Sequence, residues 1–205
     1  MNHDIFTSIT SAFYKTSSTE WLVFITALMY VVLAAIENVW CWLFGILASI
    51  LSVYLCFTGN LFLESGLQVF YVVMGIYGWY QWLQGSKEKT SITIVSFSLI
   101  KNILLFIIGC VIWLLLSLLS SKYSTQAMPY LDGFITAFSI LATWMTAKKI
   151  IENWLYWIVI DALAIVLYAS RDFYLMALLY IIYTLIALAG YFKWKNKLSA
   201  LSASH

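Results

Sequence analysis

Apolar residues run through this chain in long blocks broken by short polar links, and the blocks are helix-length rather than strand-length. The first spans about Glu20 to Ala35, the second Trp40 to Phe57 and the third Leu63 to Leu83. The polar link Gly85 to Thr90, GSKEKT, follows. The fourth block covers Phe97 to Leu119, and a longer polar segment, SSKYSTQAMPYLDG, separates it from the fifth, Phe134 to Ala147. The sixth is Ile151 to Tyr168, and the seventh, Phe173 to Phe192, ends in Lys193, Lys195 and Lys197. A helix crossing a bilayer needs about 20 apolar residues, so the pattern predicts seven membrane spans with short loops.

The pattern also repeats. Ile36-Glu37-Asn38 with Trp42 opens the second span, and Ile151-Glu152-Asn153 with Trp157 opens the sixth, at an offset of 115 residues. Gly78-Trp79-Tyr80-Gln81-Trp82 closes the third span, and Gly190-Tyr191-Phe192-Lys193-Trp194 closes the seventh, at an offset of 112. A three-residue shortening between the two anchors accounts for the difference. The expectation is a single membrane domain, residues 1–205, with one repeat over about 20–85, a connector over about 97–119 and a second repeat over about 133–195. The repeats start four spans apart and so point the same way. Parallel repeats with a substrate site near the midplane recur in secondary transporters.

Composition strengthens this picture. The chain has 205 residues, 63% hydrophobic and only 10% charged, against about 25% charged in a soluble domain. One proline and 9 glycines suit helices, and the strict alternation of a barrel is absent. The basic residues divide unevenly between the two ends. Lys87, Lys89, Lys148, Lys149, Lys193, Lys195 and Lys197 fall on one side, and Lys15, Lys122 and Arg171 on the other. The positive-inside rule then puts the N-terminus outside and the C-terminus in the cytoplasm, with Lys101 snorkelling from span four. The N-terminal residues lack the apolar centre of a signal peptide and suggest a short amphipathic helix.

Several chemistries drop out. His3 and His205 are terminal, and the spans contain no histidine, which excludes a Ser/His/Asp set and argues against heme or zinc-hydrolase sites. Cys41, Cys56 and Cys110 sit in apolar runs without metal-ligand spacing and read as small buried residues. No Walker loop, cofactor-binding motif or basic nucleic-acid-binding run is present. The chain reads as a membrane protein without enzymatic activity or cofactor.

One residue then stands out. Asp161 lies near the middle of span six, where a charge costs about 2.5–3.5 kcal/mol on insertion scales. At helical spacing Trp157 lies one turn before it, and Asn153 and Trp154 two turns before. An anion, aromatic rings and an amide on one stripe suit a flat, cationic, hydrogen-bonding solute. The plainer reading is a structural carboxylate paired across the bundle. Gln68 in span three matches Tyr180 of the second repeat, and Tyr71 and Trp79 follow on its helix. A buried glutamine offers donors and an acceptor to a ribose, a pyrimidine or a carboxamide, or to a neighbouring helix. Trp79 and Trp144 lie toward the cytoplasmic end, where they would wall a cavity. Trp21, Trp40, Trp42, Trp82 and Trp194 sit near span ends and read as an interfacial belt.

Three stretches carry a resemblance. LQVFYVVMGIYGWYQW (Leu67 to Trp82), KKIIENWLYWIVIDALAIVLYAS (Lys148 to Ser170) and LLYIIYTLIALAGYFKW resemble the PnuC family of vitamin transporters. The resemblance covers spans two to seven. It implies an all-α integral membrane fold of seven helices in a 3+1+3, SWEET-like arrangement, and a homotrimer in the bacterial inner membrane. It further implies facilitated diffusion, with the solute trapped by a separate cytoplasmic kinase. Most members carry nicotinamide riboside, a PnuT subgroup carries thiamine, and others take riboflavin. The family's substrate contacts fall on Gln68, Trp79, Trp157 and Asp161. The nicotinamide riboside branch has asparagine where this chain has Asp161, and a carboxylate pairs naturally with the aminopyrimidine of thiamine. The expectation is therefore thiamine, with nicotinamide riboside as the alternative, proton coupling through Asp161 as a further option, and a flux-free membrane scaffold as the reading from another class.

Overall fold

The computed structural model of the chain describes residues 10–11, 13–14, 16–58, 62–87, 93–123, 128–170 and 173–203. The proposed N-terminal amphipathic helix falls largely outside them, as do Lys15, Lys89 and Arg171. Seven helices follow the apolar blocks: α1 (Ser18–Ala35), α2 (Cys41–Thr58), α3 (Phe62–Lys87), α4 (Leu99–Tyr123), α5 (Pro129–Ala147), α6 (Asn153–Ser170) and α7 (Tyr174–Ala203). Among the described residues, α1, α2, α4, α6 and α7 are long and apolar enough to cross a membrane. The chain is thus a multi-pass membrane protein. The other two helices fall short for visible reasons. α3 carries three glutamines, four glycines and two serines with Glu64 and Lys87, and α5 is the most enclosed helix, with Ser139, Thr143 and Thr146 among its buried residues.

Local chemistry sets the ends. Ser17 and Glu20 form a capping box at the start of α1, which satisfies two of the helix's unpaired N–H groups. Pro129 begins α5, where its missing N–H costs nothing. Inside the spans, hydroxyls turn back on their own helix: Thr26 donates to Leu22 O at 2.6 Å and Thr184 to Tyr180 O at 2.8 Å. Such bonding keeps a polar side chain affordable in an apolar setting.

The helices pack in two groups. α2 lies between α1 and α3, and α6 packs on α5 and α7. The groups then cross-pack reciprocally: α1 lies on α7, and α3 lies on α5. α4 packs on α5 and turns Leu104, Phe106, Ile107, Leu114, Leu115 and Leu118 outward, the pattern of a lipid-facing helix.

The internal repeat has one register, and it is not the one the letters suggest. Glu37 and Lys149, 112 residues apart, both adopt the left-handed backbone conformation, with φ of 56° and 53°. Around them the same turn is built twice. Glu37 N–H donates to Ala34 O and Lys149 N–H to Thr146 O, each at 3.0 Å. Asn38 N–H donates to Leu33 O and Ile150 N–H to Met145 O, each at 2.9 Å. α2 and α6 also begin and end in this register. The matching of Ile36-Glu37-Asn38 to Ile151-Glu152-Asn153 is therefore out of step by three residues, and no shortening is needed. The two glutamates do different work. Glu37 pairs with lysines, whereas Glu152 accepts from Ser96 Oγ and the Phe97 N–H.

In the true register Trp42 matches Trp154, Gly78 matches Gly190 and Trp82 matches Trp194. Each pair makes the same contact. Trp42 lies over Gly78 and edge-on to Trp82 at 5.6 Å and 90°. Trp154 lies over Gly190 and edge-on to Trp194 at 5.4 Å and 90°. Trp82 and Trp194 then meet each other at 6.3 Å, so four indoles join the two halves. Trp42, Trp82 and Trp194 are buried, which corrects their reading as belt residues. A glycine at 78 or 190 opens a slot in the helix surface that admits a whole indole, and the rings fill the core instead of the interface. Trp40, by contrast, is 54% exposed.

Above the indoles sits an ionic cluster. Glu37 accepts from Lys197 Nζ at 2.7 Å and from Lys149 Nζ at 3.1 Å. Lys149 also lies 4.6 Å from the centre of the Trp82 ring. Burial works to raise the Glu37 carboxyl, but the hydrogen bonds and charges of Lys197 and Lys149 outweigh it and hold the group below the ordinary carboxylate value.

Candidate functional site

Asp161 is the ninth residue of α6, about 12 Å from its start at 1.5 Å per residue, and only 3% exposed. Among the described residues it has no hydrogen-bond donor and no cationic neighbour. Its surroundings are phenols. Asp161 lies within electrostatic range of Tyr180 and Tyr183 on α7, and Tyr168, two turns further along α6, stacks on Tyr180 at 5.2 Å and 13°. A buried carboxylate facing aromatic rings, with no cation from the chain itself, is set up to receive a cation or a hydrogen-bond donor from outside.

Trp157 stands one turn before Asp161 and is held from the side by α5. Its Nε1 donates to Thr146 Oγ1 at 3.4 Å. Thr146 Oγ1 in turn lies 2.8 Å from Ala142 O and 3.1 Å from Asn153 Oδ1. Asn153 is fully buried, and its Nδ2 donates to Ile150 O at 2.6 Å. The asparagine therefore spends its amide tying the α5–α6 turn together, and it acts on the site by fixing Thr146 and through it Trp157.

On the other half, Tyr71 of α3 lies close to Ser139 of α5 and within electrostatic range of Tyr30 on α1. Gln68, one turn earlier on α3, is half-buried and makes no hydrogen bond among the described residues. Trp79 and Trp144 lie elsewhere. Trp79 packs near Trp40, at 6.0 Å, close to the loop end of the bundle. Trp144 packs on Phe97, at 6.4 Å, ahead of α4. The structure thus gathers Asp161 and Trp157 on α6 with the tyrosines of α7. It sets Gln68 and Tyr71 on α3, and Trp79 and Trp144 toward one end.

Sequence reasoning passed over Tyr183, Thr146 and Ser139. Tyr183 was discoverable as the 112-residue counterpart of Tyr71. The two hydroxyls sit in an unusually small and polar helix, α5, but which way each faces depends on the packing of α3 and α6 around it.

Among the described residues, seven helices in two groups that share one turn and one indole joint, five of them long and apolar enough to cross a membrane, define a class, the multi-pass α-helical membrane proteins. The chain belongs to the PnuC-type nicotinamide mononucleotide transporter family, whose pattern matches residues 17–196. It is similar to the nicotinamide riboside transporter PnuC of Escherichia coli (strain K12), with 27% identity covering 89% of this chain and 87% of that one. It is also similar to the riboflavin/roseoflavin transporter RibM of Streptomyces davaonensis, with 24% identity covering 77% and 75%. A crystal structure of the vitamin B3 transporter PnuC shares the fold at a TM-score of 0.73 and 20% identity, covering 96% of this chain and 88% of that one. These relatives are transporters, not enzymes.

Proposed function

We propose that this chain carries nicotinamide riboside across the membrane by facilitated diffusion, through a site between its two halves near mid-depth. The observation that carries the reading is Asp161, a buried carboxylate without an internal cation, faced by Tyr180 and Tyr183 and flanked by Trp157. Nicotinamide riboside is a flat aromatic cation bearing a carboxamide and a ribose, and it matches that lining. The E. coli relative is named for the same solute. The thiamine expectation is set aside. It rested on one aspartate, and the relatives named above are nicotinamide riboside and riboflavin transporters.

The finer features of the reading follow from the same lines of support. The uniform register and the reciprocal packing of α1 on α7 and α3 on α5 favour a 3+1+3 arrangement with α4 as connector. The lysines gathered around Glu37 favour a cytoplasmic placement of that end in a bacterial inner membrane, with the C-terminus inside. The outward apolar face of α4 suits contact with further copies in a homotrimer. A passive carrier needs a separate kinase to trap the solute.

The test is uptake of nicotinamide riboside into liposomes holding the purified protein, with thiamine and riboflavin in parallel. Saturable, gradient-driven flux of nicotinamide riboside that Asp161→Ala abolishes without lowering Tm supports the proposal. Flux of thiamine in its place, or full flux in Asp161→Ala, overturns it. Accumulation driven by a pH gradient alone would show proton coupling, and no flux of any solute would favour a scaffold.

A further inference from the structure

The corrected register changes the counterpart of Asp161. At an offset of 115 it would be Ile46, an apolar residue. At 112 it is Ser49, on α2. Ser49 is buried at 8% exposure in an otherwise strongly apolar helix. A serine in a helix usually donates to its own backbone one turn back, as Thr26, Thr58, Thr143 and Thr184 do here. Among the described residues Ser49 makes no hydrogen bond at all.

The register carries the neighbours across as well. Asp161 faces Tyr180 and Tyr183 on α7, the helix packed beside its own. Their counterparts are Gln68 and Tyr71 on α3, which packs beside α2 in the same way. Tyr30 ties this group together. A Cβ on Gly45, one turn before Ser49, would lie 2.9 Å from the Tyr30 ring, and Tyr30 reaches electrostatic range of Tyr71. Tyr71 in turn lies close to Ser139 of the other half. The molecule holds two versions of one polar cluster. One has a carboxylate and phenols, and the other has a hydroxyl, a carboxamide and a phenol.

We propose that Ser49, with Gln68 on the neighbouring helix, forms the second half of the substrate site and binds the ribose hydroxyls of a solute whose cationic ring lies at Asp161. This rests on the function proposed above. The division follows from charge. A pyridinium ring is drawn to the buried Asp161 carboxyl group, whose charged form it stabilises, and to the aromatic faces around it. The ribose, attached at the ring nitrogen, is neutral and needs groups that both donate and accept. A serine hydroxyl and a glutamine amide supply both.

The experiment compares binding of nicotinamide riboside and its 2′,3′-dideoxy analogue to purified wild type, Ser49→Ala and Ser49→Thr by calorimetry. Wild type should prefer the parent compound by about ten-fold, the value of a hydrogen bond made without solvent competition. Ser49→Ala should narrow that preference by weakening the parent alone, with Gln68 retaining the remainder, and Ser49→Thr, which keeps the hydroxyl, should keep the preference whole. A ribose preference as large in Ser49→Ala as in wild type, or one missing in wild type, overturns the inference and leaves the proposed function standing. An absence of nicotinamide riboside binding in wild type overturns both.

Discussion

The two Gly–Trp joints differ in tightness, and that difference sets an ordering of stability that can be measured. A Cβ added at Gly78 would lie 2.4 Å from Trp42 Cζ2 and 2.5 Å from Cε2 and Cη2. At Gly190 the same atom would lie 2.8 Å from Trp154 Cζ2 and 2.9 Å from Cε2 and Cη2. Carbon atoms settle at about 3.5–4.0 Å, so the first site is short by about 1 Å and the second by less. Neither ring retreats easily. Trp42 is wedged by Tyr30 at 5.8 Å and Trp82 at 5.6 Å, and Trp154 by Trp194 at 5.4 Å. Overpacking of this kind costs about 1–3 kcal/mol, and the gain in helix propensity from glycine to alanine returns up to about 1 kcal/mol. Gly78→Ala should therefore destabilise by about 2 kcal/mol and Gly190→Ala by under about 1 kcal/mol. Gly66→Ala, with nothing within 4 Å of its added carbon, should be neutral or slightly stabilising. For a chain of this size 1 kcal/mol moves Tm by about 2–4 °C, so thermal unfolding of the purified protein in detergent separates the three. A Gly190→Ala variant less stable than Gly78→Ala, or a Gly78→Ala variant as stable as wild type, would refute the packing argument.

The ionic cluster and the indoles give two further expectations. Glu37→Gln leaves Lys149, 14% exposed, without its anion, while Lys197, at 56%, loses little. The expected cost is about 2 kcal/mol, read as a fall in Tm. Because Glu37 titrates lower in the folded protein than in the unfolded chain, its contribution is complete above the ordinary carboxylate value of 4.5 and disappears as pH falls through the folded-state value. Wild type and Glu37→Gln should thus differ in Tm at pH 7 and converge on acidification below about 4.5, and a constant difference would argue against the pairing. Trp82 donates from Nε1 to Ala147 O at 3.2 Å, whereas Nε1 of Trp194 has no partner among the described residues. Trp82→Phe should therefore cost about 1 kcal/mol more than Trp194→Phe, and equal losses by thermal unfolding would show that the hydrogen bond contributes nothing.

The spans were readable because a bilayer-sized apolar block has few alternatives, and most helices begin and end within about five residues of where hydropathy placed them, whereas α7 continues past Phe192 through the lysine-rich segment to Ala203. The register was readable at one anchor only. Gly78 and Gly190 are tied to their function as slots for an indole, so their letters track the geometry. Ile-Glu-Asn recurs three residues out of step because identical letters took different jobs, Glu37 in a left-handed turn and Glu152 at the start of α6. Lys149 matches Glu37 in backbone but not in type, and no sequence comparison of residue identities pairs them. The tryptophans fooled the reading for a related reason. An indole near a span end suits the interface or a core slot equally, and only the glycine opposite it decides. Asp161 was legible because a charge inside an apolar run is costly wherever it faces. Asn153 shared its stripe, yet it turned out to be used by the α5–α6 turn, a role set by Thr146 on a different helix.

The repeat differs along its length in a way that bears on the solute. Near the Glu37–Lys149 end the paired positions are identical, Trp42 with Trp154, Gly78 with Gly190 and Trp82 with Trp194, and they make the same contacts. At mid-depth Tyr71 and Tyr183 stay alike, but the pairs around them diverge: Gly45 with Trp157, Ser49 with Asp161 and Gln68 with Tyr180. The divergence is complementary in volume as well as in charge. Tyr30 of α1 fills the space over Gly45 in one half, while in the other Trp157 of α6 packs against a core cluster that includes the smaller Ala142, the counterpart of Tyr30. Packing the joint at the end asks the same thing of both halves, so the same residues serve twice. Binding a molecule with a cationic ring at one end and hydroxyls at the other asks different things of each half, because two identical halves would present a two-fold symmetric site to an asymmetric ligand. On the function proposed above, the place where the halves stop matching is where an asymmetric solute would be recognised, and it coincides with the depth of Asp161.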